Sequence, residues 1–267
     1  MTSTGSGPHL ACSTAAFFAR PLGRAFAAIA DAGFDAVEVM VTRDPDTQDG
    51  DRLRALADEH RLGIRAIHAP FLLMTRRVWG TDPVGKIDRA IEVAERAEVP
   101  LVVVHPPYRW QTGYRRWVDE DLRTLRERTG VRVGVENMFP LTLAKRAVAF
   151  HAHDVLGDLD RFPDVVLDTS HAAVAGLDLL ETYRELRERL VHVHLSNNAG
   201  RGWDSHAAVD TGVLPLDALL DALAEDGFSG TVSLELDLRP ALDDAARLQD
   251  VLRRNLEFCR ARLPVAS

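Results

Sequence analysis

The chain has 267 residues, 46% of them hydrophobic, and 32 Lys+Arg against 40 Asp+Glu leave a formal charge of −8. That acidic balance argues against a whole-protein nucleic-acid binder, because phosphate neutralisation by Lys and Arg provides most non-specific affinity. The apolar content suffices for a sizeable core, and no stretch approaches about 18 consecutive apolar residues, so no membrane span is expected.

Residues 1–8 read as a flexible N-terminal start and 9–267 as a single catalytic domain. The segment 1–10 is rich in Ser, Thr and Gly and lacks the basic and apolar regions of a signal peptide. Cys12 and Cys259 lie in apolar contexts at opposite ends of the chain and make no disulfide framework. A cytoplasmic location is expected.

From residue 9 onward, β-branched apolar runs alternate with amphipathic stretches. The runs are 9–13, 34–41, 64–68, 101–105, 131–136, 165–168, 191–195 and 231–236. Helices are expected between them at 22–31, 51–60, 86–97, 118–128, 178–189, 216–225 and 242–260, where apolar residues recur at spacings of three and four. Leu248, Leu252, Leu256 and Cys259 illustrate the pattern. Gly33, Gly63, Gly130 and Gly227 fall where a helix C-cap precedes the next strand. Eight units of about 33 residues match the βαβ repeat of an α/β fold, a (β/α)8 TIM barrel. A doubly wound open sheet fits less well, since no G-x-G-x-x-G follows an early strand.

Chemistry in such a barrel sits at the C-terminal ends of the strands. Here the third to eighth runs end on His68, His105, Glu136-Asn137, Asp168 with His171 just beyond, His194, and Glu235. The loop after the seventh run adds Asp204-Ser205-His206. An ionisable group at the end of a buried strand is costly unless paired, solvated or bound to metal. Six in phase point to a metal site, and imidazole plus carboxylate without thiolate suits Zn, Mn, Fe or Co. His192 shares the parity of His194 and is expected one layer deeper, in a core or supporting role. Glu38, read as closing the second run, is assigned to the substrate or to the support of the ligands. His9, His60, His151 and His153 read as structural.

Four motifs, V-E-N at 135–137, L-D-T-S-H at 167–171, V-H-L-S-N at 193–197 and D-S-H at 204–206, occur in this order and strand phase. Through them the chain resembles the xylose isomerase-like TIM-barrel superfamily, which includes sugar epimerases, hydroxypyruvate and inosose isomerases, and endonuclease IV. The resemblance implies two ligand schemes. In the sugar enzymes one divalent ion is held by residues matching Glu136, Asp168, His194 and Glu235, and the two glutamates form the acid/base pair. In endonuclease IV three zinc ions use positions matching His68, His105, Glu136, Asp168, His171, His194, Asp204, His206 and Glu235, all present here. Two departures weigh against a nucleic-acid substrate. The loop 42–51 carries aspartates at 44, 46, 49 and 51 against one arginine, and the expected Gly-x-Gly after Asp-x-His is only Asp210-Thr211-Gly212.

The expected function is therefore a divalent-metal-dependent isomerase or epimerase of a small polyhydroxylated carbonyl compound. Glu136 and Glu235 would move a proton through a metal-stabilised enediolate. The alternative is a multi-zinc phosphoester hydrolase, with two to three ions in place of one. Arg109, Arg201, Trp203 and Asn137 are the expected substrate contacts. The expected partner is a small-molecule substrate, with neither nucleic acid nor membrane, and a homodimer is left open.

Overall fold

The computed structural model of the chain describes residues 7–18, 20–71, 75–143, 146–148, 150–153 and 156–264. Residues 1–6 of the expected N-terminal start lie outside the described residues. The strands are β1 (His9–Ser13), β2 (Ala36–Met40), β3 (Gly63–His68), β4 (Leu101–Val104), β5 (Arg132–Glu136), β6 (Leu141–Leu143), β7 (Arg146–Val148), β8 (Val165–Asp168), β9 (Leu190–Leu195) and β10 (Thr231–Leu234). Eight of them, all parallel, close the barrel in the order β1-β2-β3-β4-β5-β8-β9-β10, and β10 returns to pair with β1. The antiparallel hairpin β6-β7 is an insertion between β5 and β8 that the apolar rhythm does not reveal. The helices are α1 (Leu22–Asp31), α2 (Gly50–His60), α3 (Pro83–Arg96), α4 (Thr112–Glu120), α5 (Leu122–Thr129), α6 (Thr169–Ala175), α7 (Leu179–Leu186), α8 (Leu216–Glu225) and α9 (Ala245–Arg260).

Strands buried on both faces read as continuous apolar runs. One face, including Val39, Ile67, Val102, Val104, Val135 and Leu167, joins the large core built with the helices. Ala66, Leu101, Val103, Val166 and Val191 form a separate cluster of their own, which fills the interior of the ring. Gly134 belongs to this layer, because a Cβ there would lie 2.9 Å from Val166 Cγ2. Two residues further along, the side chains on the same face are His68 after Ala66, Glu136 after Gly134 and Asp168 after Val166. On β3, β5 and β8 the interior thus changes within one pleat from an apolar layer to a polar rim.

Five of the nine helices named above start on a capping aspartate. Asp49, Asp82, Asp168, Asp178 and Asp244 each accept a first-turn backbone N–H, of α2, α3, α6, α7 and α9 respectively. A carboxylate there satisfies an orphan donor and complements the helix dipole. Much of the acidic surplus thus serves as caps, including in the loop 42–51. Asp44 accepts from Leu22 N and Asp46 N, and Asp46 pairs with Arg52 at 3.2 Å.

Three local expectations need correction. The helix expected at 118–128 is two helices, α4 and α5, meeting at Asp121. Tyr114, Trp117 and Val118 bury one face of α4, while Leu122 and Leu125 bury that of α5. Gly63 is the first residue of β3, and the left-handed cap of α2 is Arg61, at φ 55°. Gly130, at φ 72°, does cap α5. Helix α6 was not expected, and it begins because Asp168 itself is its N-cap.

Candidate active site at the barrel rim

The nine rim residues named from the sequence, His68, His105, Glu136, Asp168, His171, His194, Asp204, His206 and Glu235, form one connected cluster. Glu136 is its hub and is buried. Its Oε2 lies 3.3 Å from His68 Nε2 and 3.2 Å from His105 Nε2. Its Oε1 lies 3.2 Å from both His171 Nδ1 and His194 Nδ1. His194 Nδ1 is also 3.2 Å from Glu235 Oε2 and 3.8 Å from Asp168 Oδ2. On the far side Asp204 Oδ2 bridges His171 Nε2 at 3.3 Å and His206 Nε2 at 2.8 Å. A cavity of about 550 Å³ opens onto the cluster. His68, His105, Glu136, His171, His206 and Glu235 line its floor, and Phe18, Met40, Leu236 and Leu238 its walls. Its size falls within the range of small-molecule sites.

Electrostatics follow from packing five imidazoles among four carboxylates. Burial works against the Glu136 charge, but His194, His171 and the hydrogen bonds from His105 and His171 outweigh it and hold the carboxyl well below its usual range. Burial likewise disfavours the His194 cation, yet Glu38, Glu235 and Glu136 raise it well above the ordinary value. His206 is pushed up to about 9, burial being outweighed by Asp204, Glu235 and Asp168. Asp168 is raised to about 6, chiefly by burial, with His171 and His206 opposing. Imidazolium protons therefore balance the carboxylates, and a divalent cation would take their place.

The donor chemistry fits such a cation. Glu136, Asp168, His194 and Glu235 each offer a ligand atom, all within 4.8 Å of one another. Three further groups meet the same limit, His68–Glu136–His194, Asp168–His171–His206 and the fully buried Glu38–His192–His194. Asp168 Oδ2 is buried without a hydrogen-bond partner among the described residues, while its Oδ1 caps α6. The outer nitrogen of His68 is already committed, its Nδ1–H donating to Ala69 O at 3.0 Å, and His171 Nδ1–H, beside Glu136, also reaches Asn137 O at 2.9 Å. Fixing one ring nitrogen in this way leaves the other as a lone pair toward the centre, a common feature of metal-binding histidines.

The expected substrate contacts fare differently. Asn137 Nδ2–H donates to Asp168 O at 3.1 Å, and its Oδ1 accepts the Asp168 N–H at 2.6 Å. Its side chain clamps the ends of β5 and β8. Arg109, Arg201 and Trp203 are exposed and lie outside the residues lining the cavity. The guanidinium at the cavity wall is that of Arg239, held against Asp237 by two bonds of 2.7 Å. A basic residue in the loop after the last barrel strand was the available signal. Glu38 does not close its strand, for β2 continues to Met40. The carboxylate is fully buried beneath the rim, with His192 beside it. His151 and His153 are buried, and the His151 ring stacks on Tyr108 at 4.4 Å.

The family model described as xylose isomerase-like TIM barrel matches residues 26–261. An uncharacterized protein of Mycobacterium leprae is 33% identical over 270 residues, spanning 94% of this chain and 96% of its own. A solved D-tagatose 3-epimerase-like protein superposes with a TM-score of 0.70 at 24% identity, covering 95% of this chain and 98% of its own. The D-allulose 3-epimerase from Methylomonas sp. in complex with D-allulose superposes with a TM-score of 0.66 at 19% identity, covering 96% and 98%. At these identities the two structures attest a shared fold.

Proposed function

The chain belongs to the xylose isomerase-like TIM-barrel family, and we propose that within it the protein is a divalent-metal-dependent isomerase or epimerase of a small polyhydroxylated carbonyl compound such as a sugar, sugar phosphate or inosose. One observation carries this reading. Glu136 and Glu235, from barrel positions separated by β8 and β9, converge on His194 Nδ1 at 3.2 Å each, with Asp168 completing the set, at the floor of a sugar-sized cavity. Glu136, Asp168, His194 and Glu235 would hold the ion. The chemistry it supplies when bound is Lewis-acid polarisation of the substrate carbonyl, which acidifies the adjacent C–H. One glutamate removes the carbon-bound proton and the other returns it, to the neighbouring carbon or the opposite face. Apolar walls from Phe18, Met40, Leu236 and Leu238 limit water at the reacting carbon. The sugar epimerases among the structural neighbours support the same substrate class.

The Asp168–His171–His206 group, with His68 and His105 on Glu136, favours a second reading, a multi-metal phosphoester hydrolase. Metal content of the purified protein and deuterium uptake from D2O into carbon-bound positions of ketoses and inososes separate the two. About one ion per chain with exchange is expected. Two to three ions, no exchange across the panel and release of phosphate from small phosphoesters would replace the first reading with the second.

A further inference from the structure

Glu38 sits in the middle of the apolar strand β2, AVEVM, fully buried. A lone carboxylate there would be strongly disfavoured by desolvation. It is stabilised by three donors. His192 Nε2–H donates to Oε2 at 2.6 Å, His194 Nε2–H donates to the same oxygen at 3.1 Å, and Ser13 Oγ–H donates to Oε1 at 3.3 Å. Both imidazole nitrogens converge on the one oxygen Oε2 while Oε1 takes the hydroxyl, so the carboxylate is the acceptor of all three and each ring carries its proton on Nε2.

For His194 this has a consequence at the rim. With Nε2 protonated toward Glu38, the neutral ring has its lone pair on Nδ1, the atom 3.2 Å from Glu136 Oε1 and from Glu235 Oε2. His68 is oriented the other way, with Nδ1–H on the Ala69 carbonyl. Of these two rings, it is His194 whose outer nitrogen is held by a charged side chain. We infer that Glu38 is a positioning residue that selects the Nδ1-ligating tautomer of His194 and thereby sets the affinity of the rim for a divalent ion, an inference that rests on the metal-dependent reading above. His192 provides an internal control. It shares Glu38 from one layer deeper, and its Nδ1 has no hydrogen-bond partner among the described residues.

The test is Mn2+ and Zn2+ titration calorimetry on the metal-free full chain, comparing wild type with Glu38→Gln, Glu38→Leu and His192→Leu. Outer partners of ligating histidines typically contribute 10- to 100-fold in affinity. Glu38→Gln, which keeps an acceptor of the same shape but loses the charge, is expected to weaken binding roughly 10-fold, and Glu38→Leu roughly 100-fold. His192→Leu is expected to bind as wild type does. In 15N-histidine spectra of the Zn2+-loaded protein, the His194 Nε2–H signal of wild type should disappear in Glu38→Leu. Should Glu38→Leu fail to fold, the isosteric Glu38→Gln carries both measurements. Wild-type affinity in the Glu38 variants, or an equal loss in His192→Leu, would overturn the inference and leave the metal reading standing. A wild-type chain that binds neither ion would overturn both.

Discussion

Asp168 and His171 are locked together by the first turn of α6, where Asp168 Oδ1 accepts the His171 backbone N–H at 2.7 Å and leaves Oδ2 unpartnered at the rim. One side chain thus acts as helix cap and candidate ligand. The two roles separate by substitution, because asparagine caps as well as aspartate but carries no charge. Asp168→Asn should abolish tight metal binding and leave the metal-free protein as stable as wild type. Asp168→Ala should lose metal equally and destabilise by about 1 kcal/mol more. Metal content after dialysis and urea unfolding with chelator present read the two effects independently.

The two glutamates differ in what else they hold. Glu136 meets four imidazoles, whereas the rim contact of Glu235 is His194 Nδ1. Glu235→Gln should therefore retain most of the metal while kcat falls about 10²- to 10⁴-fold, the usual contribution of a positioned acid or base. Glu136→Gln should lose metal and turnover together. Parallel loss of metal in Glu235→Gln would remove its separate proton-transfer role.

His151 is buried beside the ligand set without belonging to it, stacked on Tyr108. Burial, reinforced by the charges of His105 and His171, lowers its pKa from 6.5 to about 3. The unfolded chain therefore binds a proton below pH 6.5 that the folded chain refuses. Stability is unaffected above that pH and declines by about 1.4 kcal/mol per unit as pH falls from 6.5 toward 3. Between pH 7.5 and 5, wild type should lose about 2 kcal/mol more than His151→Phe. Denaturant unfolding of both chelator-treated proteins at the two values gives the difference, and equal losses would show that His151 accepts a proton in the native state.

Gly212 packs against the loop that delivers Asp204 and His206. A Cβ at this position would sit 2.2 Å from Asn197 Oδ1 and 2.5 Å from Asn198 O. Asn197 Oδ1 accepts from Asn198 N and Leu214 N, while its Nδ2–H donates to Val209 O. Gly212→Ala must displace this anchor, and a cost of about 1–3 kcal/mol is expected from the disturbed buried hydrogen bonds. Activity should fall further than metal content if Asp204 and His206 face substrate, and both should fall together if they ligate. Thermal unfolding and metal analysis measure the two.

The barrel and most of its rim were legible because their signals are local. Residues two apart on a strand share a face, so His68, Glu136 and Asp168 could be placed above Ala66, Gly134 and Val166 without knowing which strand lies beside which. Glu38 shares that parity, but nothing within β2 distinguishes a rim carboxylate from one a layer deeper. That distinction depends on strand length and on His192 arriving from β9. The clamp made by Asn137 was hidden for a similar reason, since its partner Asp168 is 31 residues away. Arg109, Arg201 and Trp203 were placed by loop membership alone, and loop membership carries no direction.

The sequence by itself determined an eight-unit α/β barrel with imidazoles and carboxylates at consecutive strand ends, because helix and strand periods are properties of neighbouring residues. Only the tertiary structure decided which nitrogen of each histidine faces the centre and which oxygen of Asp168 remains uncommitted. It also decided that a buried glutamate stands behind His194. These are relations between strands brought together by ring closure. Their energies come from desolvated hydrogen bonds between residues far apart in the chain, which no local period encodes.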